Sequence, residues 1–600
     1  NGGTLTLRDA SVGGTGPNAG NRLSNSGYGA GLYLSGTHAS LVNTSVASNT
    51  FSTAAGFWGY GGGLSLNNGS VVTLTDSTVS QHYAPGNGDG RGAGLYIQDS
   101  TVTLDHSQVV SNTADGVGGG LRLWGVSTLN ILNGSVLRNN HALAGEGGAI
   151  AATNTPDINI SNSTLYSNTA SMDGGAIYLD AGLLDCDGWW DVRWNSAGGN
   201  GGAVAVAGTG DASFYAESAN SSLVGNQAGG NGGALYVAND STWQLNATSG
   251  YLLNISGNAA HGNGGAAFAD NGGDFDVYGQ VLLADNRAGS GNGGAFYLSG
   301  GSQVWLDDYA DDAPQLRMNY AQNGGAIFAQ NSPSVRCDGA VFGETPGGNY
   351  TLNGAGGAIY LSGSAFKAAN CVFYENHATT DGGAIAAYTS TLNILADYPS
   401  ALLAAERPTG PQPLVPQSIQ ATACNPFTRE CSSFAGNSAD SDADNAGDGG
   451  ALYVNNSTLN VIHTYFHHNR AYHGGAIYQT GASAVAEVAN SLIYSNTVAH
   501  PLGAGIRNSS GIFSVAHTTL ANNVGGAGFS GDVGAVSNTI AWNNEDAGFT
   551  VAPVISACTI DQSGRAGVAV DPLFVAPGAG EDYHLKGNSP AIDACATGLP

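Results

Sequence analysis

The chain is poor in charge, and what charge it has is mostly of one sign. Only 10% of its 600 residues are charged, with 16 Lys and Arg against 44 Asp and Glu, a formal charge of −28. Such a surface repels nucleic acid and anionic lipid, which excludes both as partners. No apolar run approaches the ~20 residues of a membrane span, so this segment does not itself insert into a bilayer. Helical spacing of apolar residues is missing as well, which excludes helix bundles and α/β folds. No basic-then-apolar leader opens the chain. Asn1–Leu7 reads as the middle of a repeat, and the expectation is a processed or truncated fragment of a longer exported protein. Cysteines number seven. They suit an oxidising compartment, with Cys337–Cys371 spaced to bridge adjacent coils, Cys424–Cys431 inside one loop, and Cys558–Cys595 a looser pair. Cys186 is left over, as a buried thiol.

What the chain has instead is glycine, 94 residues of it, and a repeat. Leu165–Asn168 leads through a short turn to Gly174, Gly175 and the apolar run Ala176–Leu179. The same order returns at Leu223–Asn226 with Gly232–Val237, at Phe373–Asn376 with Gly382–Ile385, and at Phe466–Asn469 with Gly474–Tyr478. The small residue that opens the apolar run recurs at steps of 23 to 32 residues, apart from one step of 67 between Ala384 and Ala451. That period marks a stacked solenoid. Within it, Val204–Val206, Ser213–Ala216 and Ser222–Val224 alternate apolar with small or polar side chains, as half-buried strands do. The fold expected is all-β, a right-handed parallel β-helix of about seventeen coils. Its parts are coils over 1–394, a Pro- and Cys-containing loop over 395–433, further coils over 434–570 and a closing segment over 571–600. Asn112, Asn168, Asn195, Asn226, Asn258, Asn286, Asn319, Asn376, Asn437, Asn469 and Asn496 fall once per coil, and their amides are expected to stack as a ladder while the residues themselves take turn conformations.

A few segments depart from the repeat. Asp187, Trp189, Trp190 and Asp191 combine aromatic rings with carboxylates, as a sugar-binding platform would; the alternative is that the rings cover the core, and Trp194, just before Asn195, is expected to pack inward. Asp307, Asp308, Asp311 and Asp312 form an acidic patch that reads as a cation or acid–base site or as a solvated turn. Asp440, Asp442, Asp444 and Asp448 copy the first half of a D-x-D-x-D loop, the oxygen-rich pattern that Ca²⁺ takes, without the closing Glu; the other reading is again a solvated turn. His463, His467, His468 and His473 cluster in sequence, but His467 and His468 are strand neighbours and should face opposite ways. No catalytic set is evident in the sequence.

The Gly-Gly-Ala-Ile and Phe-x-x-Asn pairing, as at Phe373–Asn376 and Gly382–Ile385, resembles the repeats of the polymorphic outer-membrane proteins and related bacterial β-helix surface proteins. The end of the chain, with Asp571–Phe574, Asp582–Leu585 and Ser589–Ala594, resembles the closing segment of pectate-lyase-like β-helix proteins with a variable C-terminal anchor. The resemblance implies export, surface display and a β-helix, and it names no activity. Two functions stay open: a non-catalytic extracellular adhesive or structural protein, contacting other copies, other surface or matrix proteins, or glycans; and a polysaccharide lyase or glycoside hydrolase on the same scaffold.

Overall fold

A computed structural model describes residues 2–14, 19–52, 58–308, 312–344, 347–395, 431–442, 444 and 446–592. The chain is a parallel β-solenoid of about 16 turns. It divides into two compact units, Asn1–Val304 with Asp308–Pro314, and Trp305–Asp307 with Gln315–Pro600. Cys424 and Cys595, residues 396–430 of the loop, and the tail from 593 lie outside the described residues.

In the first unit one turn consists of Val204–Val206, Gly210–Ala216, Ser221–Val224 and Gln227–Ala228. The next is Leu235–Ala238, Thr242–Ala247, Leu253–Ser256 and Ala259–Ala260, each strand pairing in parallel with its equivalent. The fourth, two-residue strand after each Asn is too short to leave a periodic signal in the sequence. Alternate residues point inward, so each inward residue sits on another: Trp243 pairs with Ala212 and Phe275. Trp190, Phe214, Trp243 and Phe275 form one buried column with centroids 5.3, 5.6 and 6.1 Å apart. In the second unit Phe342, Phe373, Phe434 and Phe466 stack at 4.6, 4.5 and 4.9 Å with planes within 9°. Stacked and edge-to-face ring pairs both contribute beyond the area they bury.

The asparagine ladder is present in both units, and every expected member is buried. Its bonding repeats. The Asn195 N–H and its side-chain amide both donate to Asn226 Oδ1, at 3.0 and 3.1 Å. The Asn226 amide donates onward to Asn258 Oδ1 and to the Val192 carbonyl, both at 3.1 Å. Asn49, Asn140, Asn349, Asn523 and Asn544 belong to it too. His82 takes one rung, accepting the Asn49 N–H on Nδ1 at 3.0 Å and facing the Val46 carbonyl with Nε2 at 2.9 Å. Burial lowers its pKa to about 4, so the rung is a neutral imidazole. Gln562 caps the last rung, its Oε1 accepting the Asn544 N–H at 2.8 Å.

One expectation about this corner is corrected. The ladder asparagines are not the residues with left-handed backbone; the residue immediately before them is. Ser167, Trp194, Asp285, Met318, Glu375, His468 and Ser495 all have φ between 49° and 55°. The preceding residue makes the sharp turn, which frees Asn to point its amide inward and swings its own side chain out.

The long loop leaves the stack intact. Asn376 bonds Asn437 as it would any neighbour, with its N–H and side-chain amide 3.1 and 3.0 Å from Oδ1, and Leu392 pairs with Leu459. Cys337 and Cys371 form the expected bridge between adjacent turns, Cα atoms 6.3 Å apart. Cys431 and Cys558 each belong to a disulfide of their own, not to one with each other. At the end, Phe574–Ala576 and Asp582–Leu585 pair antiparallel. Phe574 and Tyr583 pack on Tyr494 and Ala521, so the closing segment folds back over the side of the last turns.

Asn226→Ala takes the side-chain partner from the buried Asn195 N–H and Val192 carbonyl, at about 1–3 kcal/mol each, and leaves Asn258 Oδ1 with only the residue-226 N–H. Urea unfolding is expected to lose about 3–5 kcal/mol, against under about 1 kcal/mol for Asn159→Ala on the half-buried outer face.

Candidate functional site

With the inside filled by hydrocarbon and ladders, chemistry is left to the outer faces and corners. The corner before each Gly-Gly pair carries a second ladder that the repeat did not reveal. In the first unit it begins on Asp173, whose Oδ1 accepts the Asn200 N–H at 2.6 Å, and continues on amides: the N–H groups of Asn231, Asn263 and Asn292 donate to the Oδ1 atoms of Asn200, Asn231 and Asn263 at 2.9, 2.9 and 2.8 Å. In the second unit Asn323 holds the position first, accepting the Ala355 N–H at 3.0 Å, and Asp381, Asp448 and His473 hold it in successive turns farther on. The Asp448 N–H donates to Asp381 Oδ1 at 3.1 Å, and Asp448 Oδ1 lies 2.8 Å from His473 Nδ1. The signal for this site was in the sequence, as Asp or His replacing Asn before Gly-Gly, but it shows only once the corner's backbone bond is known.

A row of tyrosines runs beside these groups. Tyr360, Ala386, Tyr453 and Tyr478 are register partners on the outer face. Ala386 would leave a notch, and Tyr388, two residues on, fills it. Its ring lies 5.2 Å from Tyr360 and 5.5 Å from Tyr453, and its hydroxyl donates to Asp381 Oδ2 at 3.4 Å. Burial, with the neighbouring Asp448 charge, raises the Asp381 pKa to about 6. Burial also raises Asp448, against the pull of His473 and Tyr478. Two carboxylates from adjacent turns thus sit side by side with different partners, the arrangement from which acid–base chemistry or recognition of hydroxyl groups is built.

The residues singled out in the sequence fare unevenly. Asp440, Asp442 and Asp444 converge, with one ligand oxygen each within 4.8 Å of the others. Asp440 is buried and left-handed at φ 60°, and a Cβ on Gly447 would come within 2.1 Å of its nitrogen, so only glycine fits there. Asp448 is not the fourth member, because its carboxylate is turned to His473. Trp190 is corrected as a sugar-stacking residue: its ring is wholly buried and Nε1 donates to the Tyr215 carbonyl at 3.0 Å. Asp191 is likewise taken, its Oδ2 lying 3.0 Å from Arg193 Nη1. Trp189 is half-buried and Asp187 exposed. Trp194 points out rather than in, 57% exposed, because it is the left-handed residue before Asn195. The same geometry corrects the histidines: His468 is left-handed, which swings it to the same side as His467, with Nδ1 atoms 3.0 Å apart. Burial, with His468 nearby, lowers the His467 pKa to about 4, and His468 Nε2 meets Glu581 of the closing segment at 3.4 Å.

The acidic patch dissolves into packing. Asp307 is buried near Arg336, Oδ1 to Nε 3.8 Å, and Asp312 Oδ2 accepts the Gly250 N–H at 3.3 Å. Asp308 is exposed, and Asp311 lies outside the described residues. Cys186 is fully buried and its pKa is raised well above the ordinary thiol value, so it is no nucleophile.

Among known families, the one described as the Chlamydia polymorphic membrane protein repeat matches residues 370–388. That stretch runs from Val372–Tyr374 through ladder Asn376 and corner Asp381 to Ile385–Tyr388. No curated protein and no solved structure matches the chain.

Asp381 has the sign of a destabilising charge. With its folded pKa near 6 and an unfolded value of about 3.9, its stabilising contribution is complete below pH ~4 and is lost as pH rises through 6. Asp381→Asn restores the amide used at this corner elsewhere. Thermal melts are expected to show the variant more stable than wild type at pH 7.5, by about 1–2 kcal/mol, and equal to it at pH 4.

Proposed function

We propose that the chain is the displayed part of a non-catalytic, surface-exposed β-helix protein with an adhesive or structural role, binding other copies, other surface or matrix proteins, or glycans. The repeat match at 370–388 carries this reading, because it falls on the very units that build the solenoid. The geometry supports it: ladders consume the inward polar groups, while the left-handed corner positions carry side chains as different as Trp194, Met318, Glu375 and His468 on one backbone. A scaffold of constant interior and variable exterior suits display. Antibody against the purified chain is expected to label intact source cells, and protease added outside to remove the label; labelling confined to permeabilised cells contradicts surface display.

We assign Ca²⁺ to Asp440, Asp442 and Asp444, three hard oxygen donors at one loop. Calcium is expected to raise the melting temperature of wild type and not of Asp442→Asn/Asp444→Asn, with an unchanged melt of wild type contradicting the assignment.

One observation favours a polysaccharide-active enzyme as the second reading, the adjacent-turn carboxylates Asp381 and Asp448. Their different environments suit one proton donor and one ionised partner. Release of reducing ends from a polysaccharide panel, abolished in Asp381→Asn and in Asp448→Asn, would establish it; release by wild type and variants alike would remove these residues from the chemistry.

A further inference from the structure

In the first unit the outer aromatic residues are arranged in two different ways. Tyr236, Phe268 and Tyr297 lie parallel, with interplanar angles of 7° and 2°, so each ring covers the face of the next. The rings around Tyr28 are mixed: Tyr60 stacks on Tyr96 at 5.1 Å and 25°, and Trp58 leans on Tyr60 at 4.6 Å and 38°, but Tyr28 lies parallel to none of its neighbours. Tyr28 stands at 77° to Trp58 and 79° to Tyr60, with centroids 5.5 and 5.4 Å apart, and at 56° to Tyr96. Rings set on edge leave faces open. Tyr28 and Tyr33 are 39% and 49% exposed.

Two arginines serve this nest, in a chain with only 16 basic residues. Arg91 lies over the Tyr60 ring, Cζ 5.0 Å from the centroid, and its Nε and Nη2 donate to Asp89 Oδ1 at 3.0 and 2.7 Å. Its side chain is 32% exposed. Arg122 is the register partner of Tyr96 and is 5% exposed. Its Nη2 donates to Thr153 Oγ1 at 2.8 Å, and its Nε is buried with no hydrogen-bond partner. The charge of Arg91 faces it, and Glu146 acts on it only from beyond ion-pair distance. A buried guanidinium whose side-chain partners are a neutral hydroxyl and the Trp124 ring, its Cζ 5.4 Å from that centroid, is costly, and an approaching anion offsets that cost. Asp89 does not relieve it, since its carboxylate holds Arg91 and the Tyr60 hydroxyl, the latter at 3.3 Å.

We propose that Tyr28, Tyr33 and Trp58, with Tyr60, Arg91 and Arg122 behind them, form a binding site for an acidic saccharide. The open ring faces take the apolar faces of the sugar rings, Arg91 pairs with the anionic group, and Arg122 supplies the positive field at the base. An overall charge of −28 opposes general attraction of polyanions, so binding has to be local to this nest. The inference does not depend on surface display or on an adhesive role.

The test is calorimetry on the full chain with three probes: an oligogalacturonate carrying carboxylates, a sulfated chondroitin tetrasaccharide, and neutral cellohexaose. At least one acidic probe is expected to bind tenfold or more tighter than cellohexaose, and more weakly as salt rises. Binding of oligogalacturonate alone identifies a carboxylate site; tighter binding of the sulfated probe identifies sulfate. Arg91→Gln and Trp58→Ala are each expected to weaken binding at least tenfold, Arg91→Lys to recover part of it, and Trp194→Ala, an exposed ring elsewhere, to leave it unchanged. Circular dichroism of each variant guards against misfolding, and Arg91→Lys keeps the charge should Arg91→Gln fail to fold. No binding of either acidic probe, equal binding of cellohexaose, or full affinity in Trp58→Ala overturns the proposal.

Discussion

The structure depends on one constraint: a polar corner buried inside each turn must find its partners in the turn above and the turn below. An amide meets it because it accepts at Oδ1 and donates at Nδ2 from a short stem. At Asn226 the oxygen serves both the N–H and the amide of Asn195, while the nitrogen serves Val192 and Asn258. His82 shows that the demand is for this pairing and not for Asn as such, since a neutral imidazole offers an acceptor on one nitrogen and a donor on the other. Gln562 shows the same at the last rung. Because the bonds run from turn to turn, they set the register of every strand between them, and an insertion as long as that after Leu395 leaves Leu392 over Leu459.

Turning the amide inward forces the residue before it into left-handed backbone and its side chain outward. Interior regularity and exterior variety are therefore two results of one bend. The ladder in the corner before Gly-Gly works similarly, but it is half-exposed, so a carboxylate can stand where an amide would do. Asp381 and Asp448 do so with raised pKa values, next to a tyrosine row that bends round Ala386. The aromatic residues of the outer faces divide on a related principle: parallel stacks such as Tyr236, Phe268 and Tyr297 spend their faces on each other, and Tyr28, set on edge to Trp58 and Tyr60, does not.

Much of this was legible in the sequence. The period of Gly-Gly-Ala and of Asn gives the solenoid, the inward ladder and the Cys337–Cys371 bridge, because each depends only on equivalent positions one turn apart. What failed had separate causes. Strict alternation along a strand placed Trp194 inside and set His467 against His468, whereas alternation stops at the left-handed residue. Trp190 and Trp189 could not be told apart without knowing where the strand over Gly182–Arg193 breaks register against its neighbour. Asp448 belongs by spacing with Asp440, Asp442 and Asp444 but by backbone position with Asp381 and His473, and position prevails because the Gly449–Gly450 corner follows it directly. His82 was missed because a search for Asn does not see a residue that does the work of Asn.

Native-state hydrogen exchange on the intact chain measures the ladder most directly. If buried amide pairing sets the register, the backbone N–H groups of Asn168, Asn195, Asn226 and Asn258 exchange among the slowest in the molecule, at a rate governed by opening of whole turns, and together rather than one by one. Exchange of these N–H groups as fast as that of the exposed corner at Asp442 and Asp444 would contradict it, and would mean that apolar packing alone holds the turns in register.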